Sequence, residues 1–598
     1  MKTYKYILSA TAALAMLCSC SLEEVNHSGV STDEEWKTAA GYEKLVNNCY
    51  YDFIRTIYGQ AEDTFVVNAE GGTDIWQDVS KSGNWQTCQT YAGAFDGLCG
   101  EAYTGFYATL NNCNAAIAYA EKVQGLSQDA IDALVAEAYF LRAHTLMNIV
   151  EEYGGKYLAT TPTTTPISVL PCSTVNEFYK VILDDAQFAI DHLPVKQAVL
   201  GHVTKAAAYH LYAKAALNYA SYTDGLGNSD PISAAESREL ITKAKEAADY
   251  LIDNAASLGV RLYGDVNEVF DERNNKSNDE ALFIVCHSMQ AALNPRGNYF
   301  NRVWKHFGAY NAGTDGIYMD GLTASFDTTV NGHSVPALAK CNRYMAPSKK
   351  FLDLYVEKDM RYSAFFADTY YINKANTEDG NFYKWTATDA ERFKLAASRV
   401  DNSAYNIELG DTAVYISRKS YTQAERDAVR YAVCNVDDNY TDPAQPGNFF
   451  PSLKKFDTPM YYAGGNASKP YSGADCIVYR LGETYLLSAE AHWRLGDTGK
   501  AAERLNDLRN RACEGHDHSL DIAAGDVTED FILDEYAREM CGEWNRWFTL
   551  KRFRAFESRL ATFNPQAKFN PAVHYVRPVP AWILAVIDNP NEYQSPGY

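Results

Sequence analysis

Several motifs that mark enzymes and metal proteins are missing from this chain of 598 residues. Neither H-E-x-x-H nor G-x-S-x-G occurs, so the zinc-peptidase and nucleophile-elbow signatures are absent. There are 13 cysteines but no C-x-x-C pair, which argues against zinc ribbons and thioredoxin-like redox sites. Most of these cysteines are therefore expected to serve as small buried apolar residues.

Positive charge is also scarce. The chain has 54 Lys and Arg against 76 Asp and Glu, which gives a formal net charge of -22. Such a polyanion repels phosphate backbones, and this excludes nucleic acid as an expected partner. After the N-terminal segment, no run reaches 18 consecutive apolar residues, so nothing else is predicted to cross a membrane.

The N-terminal segment predicts export and a lipid anchor. Lys2 and Lys5 precede a short apolar stretch, Ile7–Met16, which is too short to span a bilayer. The following Leu-Cys-Ser-Cys sequence resembles the bacterial lipoprotein cleavage motif, which implies that residues 1–19 are a signal peptide and that Cys20 carries acyl chains. The alternatives are an ordinary secretory peptide cut elsewhere and a membrane-anchored helix.

Helical periodicity dominates the chain from about residue 33 to residue 260. Apolar residues recur every three or four positions in 129–153, 175–193, 203–222 and 234–251. Alanine is frequent at the contact positions, so neighbouring helices can approach closely. Long helices joined by short turns predict a mainly α fold, built as a scaffold of degenerate tetratricopeptide-like helical hairpins.

Residues 20–598 are expected to form a single domain that includes this scaffold. Residues 34–260 would be the helical scaffold, and 261–475 an irregular, loop-rich region with a few short strands, such as Ala281 to Cys286. Helical period returns at 478–512, so residues 476–598 are expected to form a C-terminal helical hairpin and tail that close the scaffold.

These segments resemble the SusD family, also called RagB/SusD. The resemblance begins in the helical scaffold and is most specific in the C-terminal block, which is similar to an E-R-x-x-E-L…E-G-x-R-W-x-D-L-K-R pattern and departs from it at Tyr536, Trp544 and Thr549. The matching residues include Tyr107, Asn111, Ala136, Glu137, Arg142, Tyr153, Pro347, Asp359, Arg361, Arg480, Glu483, Glu490, Arg511, Glu535, Arg538, Glu539, Glu543, Arg546, Trp547, Lys551 and Arg552.

The resemblance implies a surface-exposed outer-membrane lipoprotein that binds a glycan or oligosaccharide. It would deliver this ligand to a SusC-type TonB-dependent transporter without catalysing a reaction. Peptide capture by the same fold is one alternative, and a structural assembly role is another. A surface glycoside hydrolase also remains open, because two carboxyl groups from distant segments could face each other roughly 5 to 9.5 Å apart.

Aromatic residues in segments without helical period suggest where a sugar would bind. Trp76 and Trp85 lie in 68–91, and Trp304 and Tyr310 lie in 294–321. An aromatic face packs against a sugar ring, and Asp74 is placed to accept a hydroxyl beside it. We therefore expect these five residues to line one shallow cleft, with local core packing as the alternative for each tryptophan.

No catalytic residue, cofactor or metal site is predicted. His516, Asp517 and His518 could bind a metal ion, but no further His or Cys follows at helical spacing. A solvated loop is the better interpretation of this segment.

Overall fold

The computed structural model of the protein describes residues 32–53, 57–59, 65–78, 100–227, 230–293, 301, 303–309, 322–323, 329–330, 333–334, 345–372, 374–378, 380–439, 449–466 and 469–598. Cys20, Trp85 and Tyr310 lie outside these residues.

Helices account for most of the described chain, and the mainly α prediction is confirmed. The helices are α1 (Thr32–Trp36), α2 (Ala39–Asn48), α3 (Phe65–Glu70), α4 (Gly100–Tyr119), α5 (Gln128–Tyr153), α6 (Val175–His192), α7 (Lys205–Ala220), α8 (Ala234–Asp253), α9 (Lys349–Leu352), α10 (Arg361–Phe365), α11 (Ala387–Phe393), α12 (Gln423–Asp427), α13 (Val436–Asn439), α14 (Leu481–Leu495), α15 (Thr498–Ala512), α16 (Glu529–Met540), α17 (Arg546–Phe553), α18 (Phe556–Phe563), α19 (Ala581–Leu584) and α20 (Pro590–Tyr593).

Local sequence signals set the ends of the long helices. At the start of α6, the Thr174 hydroxyl accepts from the Glu177 N–H at 3.2 Å, while the Glu177 carboxylate accepts from the Thr174 N–H at 2.7 Å. This reciprocal cap is worth about 1 kcal/mol. Helix α5 ends at Gly154, whose φ of 73° lies in the left-handed region that glycine adopts without steric cost.

The helices stack in chain order, and the C-terminal hairpin completes the stack. Each of α4, α5, α6 and α7 packs against the helix that follows it, α8 packs against α14, and α14 pairs with α15. Buried alanines line these contacts, including Ala207, Ala215, Ala244 and Ala489. Because alanine side chains are small, the helix axes approach closely, and distant parts of the chain form one scaffold.

Short strands lie mostly in the region between the two helical parts, with β1 before it and β16 after it. They are β1 (Trp76–Asp78), β2 (Ala281–Val285), β3 (Leu322–Thr323), β4 (Thr329–Val330), β5 (His333–Ser334), β6 (Met345–Pro347), β7 (Phe366–Ala367), β8 (Thr369–Ile372), β9 (Phe382–Tyr383), β10 (Ile407–Glu408), β11 (Thr412–Ser417), β12 (Ala432–Asn435), β13 (Ser452–Leu453), β14 (Tyr462–Asn466), β15 (Lys469–Ser472) and β16 (Cys476–Arg480). One sheet has the order β12-β11-β8-β3, in which β11 and β12 are parallel. The other described sheets are antiparallel pairs, among them β1–β6 and β2–β16.

A buried network of charges joins the C-terminal helices to the strand region. We call it the ion-pair cluster. Its centre is Glu539, whose Oε1 lies 2.8 Å from Arg480 Nη1 and 2.6 Å from Arg511 Nη2. Burial opposes the ionisation of Glu539, but the guanidinium groups outweigh it and lower its pKa. The members are Glu280, Asp359, Arg361, Lys455, Arg480, Arg511, Glu535, Glu539 and Glu543.

Among the described residues, no helix combines the length and the apolar character that a membrane span requires. The cysteines placed in the structure are all thiols. Most of them are buried, as expected for small apolar residues, while Cys172 is exposed.

Candidate ligand-binding site

Asp74 was predicted to accept a sugar hydroxyl, but the structure places it in a buried charge pair. Its carboxylate accepts from Arg546 Nε at 2.7 Å and Nη2 at 2.6 Å, and from Arg559 Nε at 3.0 Å. The side chain is fully buried. Burial opposes ionisation, yet the two arginines outweigh it and lower the pKa of Asp74. The carboxylate therefore offers no free face to a ligand, and the expected role is corrected to charge pairing.

Trp76 is also buried, with 0% of its surface exposed. Its indole N–H donates to Glu70 Oε2 at 2.8 Å, and its ring centroid lies 4.8 Å from that of Phe307 and 5.9 Å from that of Phe351. A sugar ring needs an open aromatic face, and protein side chains already cover this one. The alternative of core packing holds for Trp76.

The other predicted residues divide into two groups. Trp304 lies in a short 3₁₀ turn, Val303–His306, with only 4% of its surface exposed, so its expected ligand role is corrected to core packing as well. Trp85 and Tyr310 lie outside the described residues, and their ligand role stays a prediction. The proposed cleft is thus reduced to these two aromatic residues.

The described residues next to the two predicted binding segments do lie close together in the structure. Strand β1 pairs with β6 so that Asp78 lies opposite Met345, and the Ser348 N–H donates to Ile75 O at 2.8 Å. Phe307 packs on Trp76 beside this pair. The residue before segment 79–99 and the residue after segment 335–344 are therefore neighbours. Phe307, shortly before segment 310–321, lies close to both. We call β1, β6 and Phe307 the loop base.

Glu70 fixes the loop base to the C-terminal helices. Besides the Trp76 indole, its carboxylate accepts the backbone N–H groups of Asn545 at 2.9 Å, Gly542 at 3.3 Å and Arg546 at 3.4 Å. The last of these is the first residue of α17, where a helix terminus leaves N–H groups without intrahelical partners. Glu70 therefore links β1 to the N-terminus of α17 through Trp76 and Arg546.

Two other concave features among the described residues fit a sugar less well. A small cavity of about 20 Å³, lined by both polar and apolar side chains, among them His144, Glu151 and Trp544, has room for about one water molecule. An open groove of about 460 Å³ beside α15 is lined mainly by acids and amides, including Asp507 and Asn510, with no Trp, Tyr or Phe among its lining residues. The described residues contain no group of three or more His, Cys, Asp or Glu that could hold a metal ion.

Comparison with known proteins shows which family has this architecture. Residues 270–582 match the family model described as the SusD family. This chain belongs to the SusD family. Residues 22–217 match a second family model, described as "Starch-binding associating with outer membrane". SusD-like protein P2 of Formosa agariphila is 23% identical over 99% of this chain and 100% of its own length.

Solved structures of other SusD-like proteins share the fold. A SusD homolog from Bacteroides thetaiotaomicron has a TM-score of 0.65 and 16% identity, over 96% of this chain and 100% of that one. A laminarin-binding SusD-like protein has a TM-score of 0.62 and 18% identity, over 94% of this chain and 100% of that one. At this identity the likeness establishes the fold, and the ligand named for that protein remains a property of that protein.

The SusD pattern contains one residue that supports the loop base, although the sequence analysis did not assign it this role. Arg546 matches the arginine of the C-terminal block, and in the structure this residue pairs with Asp74. The residues that match the SusD pattern thus include Arg546, which holds Asp74, two residues before β1. Glu70 and Arg559 carry no comparable signal, because neither lies in the segments that resemble the SusD pattern.

Proposed function

We propose that this SusD-family chain is a cell-surface glycan-binding lipoprotein that delivers its ligand to a SusC-type TonB-dependent transporter and catalyses no reaction itself. The main support for this proposal is that the chain belongs to the SusD family. One similar solved protein binds laminarin, and the second matching family model is described as starch-binding in association with an outer membrane; both favour a glycan over a peptide as the ligand. The loop base, which brings the ends of the aromatic-bearing segments together, is consistent with a site formed by loops.

The ion-pair cluster supports a structural rather than a hydrolytic role for its buried acids. Its carboxylates are enclosed, and Glu535, Glu539 and Glu543 each face at least one cation within 3 Å. A glycosidase needs one carboxyl group that gives a proton to the substrate and another that reaches the sugar or a water molecule. Acids that are buried and neutralised in this way serve neither purpose.

Trp85 and Tyr310 are proposed as the aromatic contacts to the sugar. Trp85→Ala and Tyr310→Ala are expected to weaken glycan affinity by about two- to tenfold each, because one stacking contact contributes about 0.5 to 1.5 kcal/mol beyond area burial. Isothermal titration calorimetry with laminarin and with starch oligosaccharides measures this effect. The melting temperature should be unchanged in both variants.

Tyr250→Ala is the matched control, since Tyr250 is an exposed aromatic residue on α8, with 46% of its surface accessible. It should bind like the parent protein. Equal affinity in all three variants would place the site elsewhere. Release of shorter products from a labelled oligosaccharide would favour the hydrolase alternative, and heat on titration with peptides but not glycans would favour the peptide alternative.

The lipid anchor at Cys20 is proposed from the cleavage-site sequence. Replacing Cys20 by Ala is expected to move the protein from the membrane fraction to the soluble fraction, because acyl chains on this residue would be lost. Cell fractionation followed by immunoblotting measures the distribution. Cys172→Ala is the control, as this exposed thiol lies in the folded body. Continued membrane binding of the Cys20 variant would assign the anchor to another feature.

A further inference from the structure

Cys49 and Cys113 are neighbours at the contact between α2 and α4, although 64 positions separate them in the chain. Cys49 directly follows the last residue of α2, and Cys113 lies within α4. The two thiols are hydrogen-bonded to each other, and both side chains have 0% of their surface exposed. The two sulfur atoms therefore face each other inside the helical scaffold, where no other side chain separates them.

Backbone contacts beside the two cysteines hold the helices in this arrangement. The Tyr42 hydroxyl, on the first turn of α2, donates to Ala116 O at 3.0 Å. At the other end of α2, the Asn112 side-chain amide donates to Asn48 O at 3.4 Å. Asn48 and Asn112 are the residues that immediately precede the two cysteines. A disulfide requires the two backbones to approach closely, and these contacts bring them together at this point.

The proposed location of the protein favours oxidation of such a pair. Disulfides form and persist in the bacterial periplasm and at cell surfaces, whereas cytoplasmic thiols are kept reduced. The inference drawn from the pair rests on the proposed function in this one respect, since it takes the protein to be exported.

We propose that Cys49 and Cys113 form a disulfide in the exported protein and that this bond fastens α2 to α4. The bond closes a loop that contains α3 and β1, so it also restrains the part of the chain that carries the loop base. Cross-linking residues far apart in sequence stabilises a fold mainly by restricting the unfolded chain. While the bond is intact, the N-terminal end of the scaffold cannot separate from α4.

The bond forms by thiol–disulfide exchange with an exported disulfide-bearing oxidase. The Cys49 thiolate attacks the disulfide of the oxidase, and one sulfur of the oxidase leaves as a thiolate. The Cys113 thiolate then attacks the Cys49 sulfur of this mixed disulfide and displaces the second sulfur of the oxidase. The two cysteines lose two protons and two electrons in total, and the oxidase becomes a dithiol.

Oxidation takes place while the chain folds, before α2 and α4 have packed. In the folded protein, the hydrogen bond with Cys113 and burial both raise the pKa of the Cys49 thiol well above its ordinary value. Little thiolate is then present to attack an oxidant, and the buried sulfur atoms are out of its reach. The same burial protects the completed bond from reductants.

Peptide mapping of the full-length protein tests the bond. Free thiols are alkylated at cell lysis, the membrane-associated protein is digested without reduction, and the peptides are analysed by mass spectrometry. A peptide that joins Cys49 to Cys113 is expected, and reduction should separate it into its two parts.

Cys286 and Cys476 are the matched control pair in the same digest. Cys476 begins β16 and Cys286 directly follows β2, so the two residues come from paired strands. Cys476 lies opposite Val285, and successive side chains of a strand point to opposite faces, so Cys286 points away from Cys476. Both should be alkylated.

The melting temperature provides a second measurement. Dithiothreitol should lower the melting temperature of the parent protein by about 3 °C, because the reduced chain regains freedom in its unfolded state. The double variant Cys49→Ala with Cys113→Ala should melt at the same temperature with and without dithiothreitol. If this variant does not fold, peptide mapping of the parent protein still decides the question.

The outcomes separate the disulfide from the proposed function. Alkylation of both Cys49 and Cys113 in membrane-associated protein overturns the disulfide and leaves the proposed location intact, as does a link from either residue to Cys88 or Cys99. Recovery of the protein from the cytoplasm contradicts the proposed location. In that case the purified chain is refolded in a buffer of reduced and oxidised glutathione, where a link between Cys49 and Cys113 supports the disulfide and free thiols at both positions overturn it.

Discussion

Trp76→Ala is expected to lower the free energy of unfolding by about 3 to 5 kcal/mol, the cost of removing a large aromatic side chain from a packed core. The side chain is fully buried between Phe307 and Phe351. Its loss also removes the indole N–H that donates to the buried Glu70 carboxylate. Denaturant unfolding followed by circular dichroism measures the change.

Glycan affinity provides the second measurement for Trp76. Calorimetry on Trp76→Ala, at a temperature where this variant is folded, should show reduced glycan affinity only if the loop base has shifted. Trp76→Phe keeps most of the packing and should bind the glycan like the parent protein. A Trp76→Ala protein with parental stability and no glycan binding would contradict the core assignment. That result would restore the ligand role expected from the sequence.

The error at Trp76 shows where sequence reasoning stops. Residues 68–91 lack helical period, which predicts a loop. In the structure the same stretch begins inside α3 and contains β1, a strand of three residues. Elements this short carry too few residues for a periodic pattern to be visible. Their burial depends on partners such as Phe307 and Asn545, which no local pattern reveals.

The long helices were predictable for the opposite reason. In α5 and α14 the apolar period extends over several turns, and Gly154 and Gly496 mark the ends with left-handed φ values of 73° and 90°. Period and capping are both local properties of the chain. The pairing of α8 with α14, by contrast, joins residues about 240 positions apart, as the contact of Ser488 with Asp249 shows. The return of helical period at 478–512 predicted that the C-terminal hairpin closes the scaffold, but no local pattern identifies α8 as the helix that α14 meets.

Trp544 departs from the SusD pattern, and the structure gives a physical reason why this departure is tolerated. It stands where the C-terminal block of the pattern has glycine, and its φ is 55°, a conformation that glycine adopts freely. Here the buried indole packs on Tyr58 and Phe456, with centroids 5.4 Å away in each case. Packing thus compensates for a backbone conformation that costs about 1 to 3 kcal/mol in other residues.

The ion-pair cluster should be the part of the fold most sensitive to loss of one charge. Glu539→Gln is expected to lower the free energy of unfolding by about 3 to 5 kcal/mol, because removing one partner leaves buried charges without compensation. Arg480 and Arg511 both direct guanidinium groups at Glu539, and an amide would turn either an uncharged oxygen or a donating NH₂ toward them. Urea unfolding at neutral pH measures the loss. Glu239→Gln is the matched control, since Glu239 forms an exposed pair with Lys243 and should show no measurable change.

The pH dependence of this difference tests the cause. The arginines lower the pKa of Glu539 in the folded protein below its ordinary value of 4.5, although burial opposes them. The folded state therefore binds fewer protons than the unfolded state, so the stabilisation is fully present above pH 4.5 and is lost as the pH falls toward the folded pKa. The stability gap between the parent protein and Glu539→Gln should narrow in acid, while the Glu239→Gln control follows the parent at every pH. A gap that stays constant down to the acid unfolding transition would show that shape, rather than charge, accounts for the role of Glu539.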